Sequence, residues 1–284
     1  MIWLFLAIAA MVIFSYFTYK QAKTADGSLS VHYIDVGQGD AVYISCGDKN
    51  MLIDSGEVSQ GDAVCAYLRE QGVESLDYVI GTHPHSDHMG GMAAVVQSFD
   101  IGEFIMPHLA DEDFPATKYF ERFLDAAEEK DLNITEAKLG MKVPFGDAQW
   151  EIIAPVEETY GNTNNYSVGI ILRYGESSFI FTGDAEKQAE EQILESYPLR
   201  HIDVYKTGHH GSDTSSSEKF LEAISPDYAV ISCGEGNSYG HPDDVTMEKL
   251  EKYTDKIYRT DLCGTVVITT DGENISVSTE RSAA

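Results

Sequence analysis

The segment Thr82-His83-Pro84-His85-Ser86-Asp87-His88 places three imidazoles and a carboxylate within six positions. The whole chain has only nine histidines. An H-x-H spacing lets two imidazoles on a tight loop converge on one ion, and the next pair, Asp87-His88, can face a second. Imidazole nitrogen with carboxylate oxygen is a donor set that suits zinc, manganese or iron(II). The competing reading, a solvated polar turn, fits one isolated histidine better than this cluster.

Three further segments carry similar chemistry. Asp184 ends the apolar run Ser178-Phe179-Ile180-Phe181. An unpaired carboxylate at the end of a buried strand is costly to desolvate, and two metal ions sharing it would remove that cost. Asp184 could instead cap the next helical run. Lys206-Thr207-Gly208-His209-His210-Gly211 is again a strand leading into a glycine-flanked loop, and Gly240-His241-Pro242 comes after another strand. Each alone reads as ordinary loop chemistry. Their recurrence at strand ends predicts one rim that gathers all of them.

The intervening sequence supplies the elements for such a rim. Short β-branched and aromatic runs at 31–36, 41–46, 51–53 and 76–80 read as strands separated by turns. Phe120, Phe123, Leu124 and Ala127 recur at helical spacing and predict an amphipathic helix from about 115 to 130. A helix is expected around 63–68 and another after Asp87. Strands are expected again at 142–143, 150–153, 166–174, 178–182, 203–206, 228–232, 256–259, 265–270 and 274–278. Helices at 185–196, 216–224 and 245–253 interrupt them. The alternation predicts an α/β fold of two mixed sheets packed together with helices outside. No internal boundary or short repeat is evident, so 30–284 is expected to be one domain behind a linker at 21–29.

Residues 1–20 differ in kind. Ile2–Tyr19 is almost continuously apolar and uncharged, long enough as a helix to span most of a bilayer. No Lys or Arg precedes it, which argues against a signal peptide. An uncleaved single-pass membrane anchor is expected. Lys20 and Lys23 would keep the carboxyl side of the span cytoplasmic. The arrangement of a span, a linker and a globular domain instead suggests an extracytoplasmic domain at the cell membrane. The scattered cysteines (Cys46, Cys65, Cys233, Cys263) fit either paired or buried thiols.

Nineteen Lys+Arg against 47 Asp+Glu give a net charge of −28 over 284 residues. That excludes a passive basic-patch binder of nucleic acid. It leaves room for a polyanion where bound cations supply the positive charge.

Taken together, HYIDVGQGDAVYI (32–44), LIDSG (52–56), THPHSDHMGG (82–91), NNYSVGIILRYGESSFIFTGD (164–184), VYKTGHHGSDTSSS (204–217) and GNSYGHP (236–242) resemble the metallo-β-lactamase fold superfamily. Within it the chain resembles stand-alone relatives of the carboxy-terminal hydrolase domain of ComEC competence proteins. The resemblance implies a four-layer αββα sandwich. It implies that His83, His85, Asp87 and His88 are metal ligands and that Asp184 bridges two divalent ions, zinc first, with manganese or iron as alternatives. One of His209 and His210 completes the second site, with His210 preferred. The other, with Lys206 and His241, would contact substrate or move protons, with Asp87 in the catalytic set. Asp54 would support the ligands from behind, and Asp35 and Asp40 would brace the ligand loop.

The chain departs from the broad pattern in one respect. Many members carry another ligand histidine between H-x-H-x-D-H and the bridging aspartate, where this chain has only His108. Asn165 or a water is expected to fill that place. The expected activity is phosphodiester hydrolysis by a metal-activated water, with single-stranded DNA as a candidate substrate and no protein partner. The alternatives are an esterase acting on cell-envelope phosphocholine, a small ester or a β-lactam, and a metal-stabilised binding module.

Overall fold

The computed structural model describes residues 27–110 and 113–282. The expected membrane anchor lies outside these residues. Among the described residues no helix is long and apolar enough to cross a membrane.

The chain builds two sheets in succession. β1 (Leu29–Tyr33), β2 (Val42–Cys46), β3 (Lys49–Ile53), β4 (Ser75–Ile80), β5 (Asp100–Met106) and β6 (Ile134–Glu136) enter the first. β7 (Lys142–Phe145), β8 (Ala148–Ala154), β9 (Gly169–Tyr174), β10 (Ser177–Phe181), β11 (Val204–Lys206), β12 (Tyr228–Ile231) and β13 (Ile257–Arg259) form the second. The chain then returns to the first sheet as β14 (Val266–Thr270) and β15 (Ile275–Thr279). The orders are β15-β14-β1-β2-β3-β4-β5-β6 and β13-β12-β11-β10-β9-β8-β7.

Each sheet changes character partway across. β1, β2 and β3 pair antiparallel, β1 and β2 through the loop 34–41 and β2 and β3 through a two-residue turn, whereas β3, β4, β5 and β6 run parallel. In the second sheet β7 to β10 pair antiparallel and β10 to β13 run parallel. Parallel neighbours need a crossover. Helices Gly61–Glu70, Met92–Ser98 and Lys118–Glu129 supply it for the first sheet, and Lys187–Ser196, Glu218–Ile224 and Asp244–Leu250 for the second.

Alternation along the strands fixes three apolar layers. In β10, Phe179 and Phe181 point between the sheets and Ile180 points to the outer helices. In β4, Ile80 faces the inter-sheet core while Leu76 and Val79 face the helices of the other side. Strands buried on both faces read as continuous apolar runs, which is why these segments lack a polar face. Helix Lys118–Glu129 buries Phe120, Phe123, Ala126 and Ala127 against the first sheet. The result is two sheets face to face with helices on both outer surfaces. β5 and β6 are absent from the sequence-based expectation, because Asp100-Ile101-Gly102-Glu103 and Ile134-Thr135-Glu136 are too polar to stand out.

The parallel strands decide where chemistry can collect. The carboxyl ends of β3, β4, β10, β11 and β12 open onto one rim, the usual ligand-binding end of parallel sheets. Val168 N–H donates to Thr82 O at 2.9 Å and ties the two sheets together there.

Candidate metal centre

The motif loop leaves β4 at Ile80 and is held from below by Asp54, the residue after β3. Asp54 adopts a left-handed backbone (φ 58°), a conformation that Asp tolerates better than most residues. Its carboxylate accepts from Thr82 N–H (2.8 Å) and Thr82 Oγ1 (2.7 Å), and lies 2.7 Å from His88 Nδ1. With Nδ1 engaged, His88 Nε2 is the nitrogen that faces the rim. The short helix Ser86–Met89 turns His88 inward and leaves Asp87 partly exposed. Asp40 N–H donates to Asp87 O at 3.0 Å. The approach needs glycine beside it: a Cβ on Gly39 (φ +137°) would sit 2.3 Å from that same carbonyl oxygen.

Asp184 meets this loop from the second sheet. Gly183 makes a left-handed turn (φ 52°) after β10, and Asp184 N–H donates to Ser167 Oγ at 3.0 Å. The side chain does not cap the next helix, whose N-cap position is Glu186. Its Oδ2 lies 3.2 Å from His88 Nε2, 3.5 Å from His210 Nε2, 3.6 Å from His209 Nε2 and 3.8 Å from His83 Nε2. One oxygen is therefore shared by four imidazoles. On one side Asp87, His88, Asp184 and His210 bring their donor atoms within 4.8 Å of one another. On the other, His83 Nε2 lies 3.0 Å from His85 Nδ1.

The outer ring nitrogens are engaged as well. His210 Nδ1 is 3.0 Å from Ser232 O, and His83 Nδ1 is 3.3 Å from Ser167 Oγ. Metal-ligating histidines commonly engage the second ring nitrogen with a carboxylate, carbonyl or hydroxyl, which fixes the tautomer and aims the other nitrogen at the ion.

Electrostatics and donor chemistry both fit a cation pair. Burial opposes charge at His88, yet Asp184, Asp54 and Asp87 hold its pKa well above the ordinary imidazole value. Burial likewise opposes charge at His210, but Asp184 and Asp40 push its pKa up to about 10. Burial would raise Asp184, and the surrounding imidazoles, His88 and His210 foremost, nonetheless hold it well below the carboxylate range. The carboxylates thus demand positive charge at a place where imidazoles alone can supply it only by taking up protons. Asp184 Oδ1 is buried with no hydrogen-bond partner among the described residues, a lone-pair donor free for a cation. The cluster is a candidate dinuclear metal site.

Several expected roles take a different form. Lys206, expected to meet substrate, is only 2 % exposed. Its ammonium donates to Thr207 O (2.9 Å) and lies 2.9 Å from Asp40 Oδ2. It sits behind the site because the side chain of this last β11 residue points into the protein. Asp40 also faces His210 Nδ1 at 3.4 Å, so its place is beneath the second centre. Asp35 does not reach the ligand loop; it accepts from Gly37 N–H (3.2 Å) and pairs with Arg281 (3.0 Å). Asn165 Oδ1 accepts from Glu186 N–H at 2.9 Å, which commits that oxygen to bracing the Asp184 turn. His108 is exposed and lies away from the cleft.

Above the cluster is an open cleft of about 360 Å³. His85, Asp87, Asp184, His209 and His210 form its floor, with Gln38, Tyr119, Asn164, Tyr239 and His241 around them. Among the described residues no Lys or Arg lines it. The His241 ring lies 5.6 Å from that of His209 and stacks on Tyr239 at 5.7 Å. Burial and the neighbouring imidazoles of His210 and His209 lower the His241 pKa, which keeps it neutral near pH 7. Tyr119 carries no sequence signal, and Ser167 and Tyr239 lie within resembling stretches without a role assigned to them; the folded proximity gives all three their place.

The family model of the Metallo-beta-lactamase superfamily matches residues 34–235. The ComE operon protein 3 of Bacillus subtilis is 30% identical over 277 residues, covering 91% of this chain and 35% of that protein. The competence protein ComA of Neisseria gonorrhoeae is 28% identical over 258 residues, covering 90% of this chain and 34% of its own length. The chain thus spans about a third of the length of these curated relatives. Among solved structures, CmlA, a diiron β-hydroxylase from Streptomyces venezuelae, superposes with a TM-score of 0.57 at 14% identity. That match covers 87% of this chain and 54% of CmlA, and it carries the fold alone.

Proposed function

This chain belongs to the metallo-β-lactamase superfamily, and we propose that it is a metal-dependent phosphodiesterase acting on single-stranded DNA. The observation that carries the reading is the sharing of one Asp184 oxygen between imidazoles from both sheets, at the floor of an open cleft. When bound, a pair of divalent cations, zinc first, would supply Lewis acidity and a readily ionised water there. Similarity to relatives named as competence proteins directs the substrate choice to DNA.

The chain's own residues do the remaining work. Asp87, His88 and His210 would hold one ion and His83 and His85 the other, with Asp184 between them. Asp54, Ser167 and the Ser232 carbonyl fix the imidazole tautomers so that the inward nitrogens keep their lone pairs. The Lys206–Asp40 pair keeps a negative charge against His210 Nδ1, which holds the proton on that nitrogen. Neutral His241 stands at the cleft wall, where its ring N–H can donate to a substrate oxygen.

The absence of basic side chains from the cleft wall, among the described residues, favours a second reading, an esterase acting on a small or neutral substrate. The two readings separate in one experiment. The full chain is loaded with metal and assayed on bis(p-nitrophenyl) phosphate, single-stranded DNA and a chromogenic cephalosporin. Cleavage of both phosphodiesters supports the first reading. Turnover of the cephalosporin alone overturns it, and bound metal with no turnover would point to a binding module. We also propose that Ile2–Tyr19 anchors the protein with the hydrolase domain outside the cytoplasm. A carboxy-terminal reporter fusion that reads out in the cytoplasm would overturn that placement.

A further inference from the structure

The second cation position is fully furnished, whereas the first has only His83 and His85 beside the shared Asp184. The two obvious candidates for a further ligand are both elsewhere. His108 is exposed away from the cleft, and the Asn165 oxygen is spent on Glu186 N–H.

The loop after β11 offers a different donor. His209 and His210 are consecutive left-handed residues, with φ, ψ of 48°, 46° and 54°, 22°. That backbone is costly for non-glycine residues, and two in a row need a structure that enforces them. Gly208 and Gly211 flank the pair, and His209 N–H donates to Gly183 O at 3.1 Å, which pins the loop beside Asp184.

The consequence is that both rings reach the same oxygen, while only His210 belongs to the tight cluster with Asp87 and His88. His210 Nε2 approaches Asp87 (3.2 Å), His88 (3.3 Å) and Asp184 (3.5 Å), all on the second side. His209 Nε2 approaches Asp184 Oδ2 at 3.6 Å. Its other carboxylate neighbour is Glu186, near Nδ1 at 3.8 Å. His209 Nδ1 lies 2.8 Å from Thr214 Oγ1, which leaves Nε2 as the nitrogen aimed at the cleft. We infer that His209 is the third imidazole ligand of the first cation, so that one dipeptide feeds both centres. Three imidazoles and a carboxylate suit a borderline divalent ion such as zinc or iron(II) better than manganese(II), which prefers oxygen donors.

This assignment rests on the dinuclear reading above, and its test is a metal count and not an activity. The full chain is stripped with chelator, and cobalt(II) is titrated back while the visible spectrum is followed. The wild type should take up two equivalents. His209→Ala should keep one equivalent at unchanged affinity and bind the other at least about tenfold more weakly. Added free imidazole should restore that weaker step. His209→Asn, which tolerates the left-handed backbone better, should behave in the same way if the alanine variant folds poorly. Two equivalents at wild-type affinity in both variants, or loss of both equivalents together, would overturn the assignment. A wild type that binds two equivalents without cleaving phosphodiesters overturns the proposed activity and leaves this assignment standing.

Discussion

Lys206 Nζ lies 2.9 Å from Asp40 Oδ2, and both side chains are almost wholly withdrawn from solvent. The pair joins β11 of the second sheet to the loop after β1 of the first, directly beneath His210. Burial alone would raise the Asp40 carboxyl, but Lys206, helped by His210, holds it far below the carboxylate range. Removing one partner of a buried pair strands the other charge, at a cost of about 3–5 kcal/mol. Lys206→Met should therefore lower unfolding free energy by roughly that amount in urea. Asp40→Asn combined with Lys206→Met should cost less than Lys206→Met alone.

The same pair predicts a response to acid. A carboxyl whose folded pKa is depressed stabilises the protein above its unfolded value, here 3.8, and that stability drains as pH falls below it. In Lys206→Met the acid-side loss of stability should be shallower than in the wild type, as read by urea midpoints between neutral pH and pH about 3. An unchanged slope would mean that the ion pair is not the group responsible.

Asp54 holds His88 Nδ1 at 2.7 Å and also the turn at Thr82. Asp54→Asn keeps a residue that accepts the left-handed backbone but presents an amide where the imidazole needs an acceptor. Metal affinity at the Asp87–His88–His210 position should fall about 10- to 100-fold, with little change in the far-ultraviolet circular dichroism. Competition with a chromophoric chelator measures it.

Much of this site is legible in the amino-acid sequence, for a physical reason. His83, His85, Asp87 and His88 lie within six positions, so local spacing alone announces them. Asp184 is visible because a charge at the end of Phe179-Ile180-Phe181 is conspicuous. The features that sequence could not resolve depend on backbone conformation and long-range pairing. The division of labour between His209 and His210 arises from two left-handed residues, which no spacing rule predicts. Lys206 reads as a candidate substrate contact until Asp40, remote in sequence, is seen to face it. The sandwich is readable from apolar runs buried on both faces, whereas β5, with its polar first half, and the polar edge strand β6 are not.

Gly39 meets the ligand loop where no side chain fits: its Cβ would stand 2.3 Å from Asp87 O and 3.2 Å from Asp87 Cβ. Gly39→Ala should push Asp87 out of the cluster and break the bond from Asp40 N–H. Metal affinity at the second position should drop by about tenfold or more, while Gly37→Ala, with nothing within 4 Å of its Cβ, should meet only the strain of its own left-handed backbone (φ +72°) and disturb Asp87 less. Both variants are read by the same cobalt titration.

All four cysteines are free and buried. Burial and the Asp261 carboxylate push the Cys233 thiol up to about 12, and reactivity follows the thiolate. Native protein should show no rapid reaction with a thiol-specific disulfide reagent, and four equivalents should react after denaturation. Fast labelling of the native chain at Cys233 would contradict its placement.

The most direct measurement concerns Asp184, whose Oδ2 lies within 3.8 Å of four imidazole nitrogens. The full chain and its Asp184→Asn variant are each titrated with metal and assayed on bis(p-nitrophenyl) phosphate at the same loading. The wild type should bind two ions and turn over the diester, while Asp184→Asn should bind both ions more weakly and lose about a thousandfold or more in rate. Wild-type turnover and metal content in Asp184→Asn would contradict a dinuclear centre built on that carboxylate.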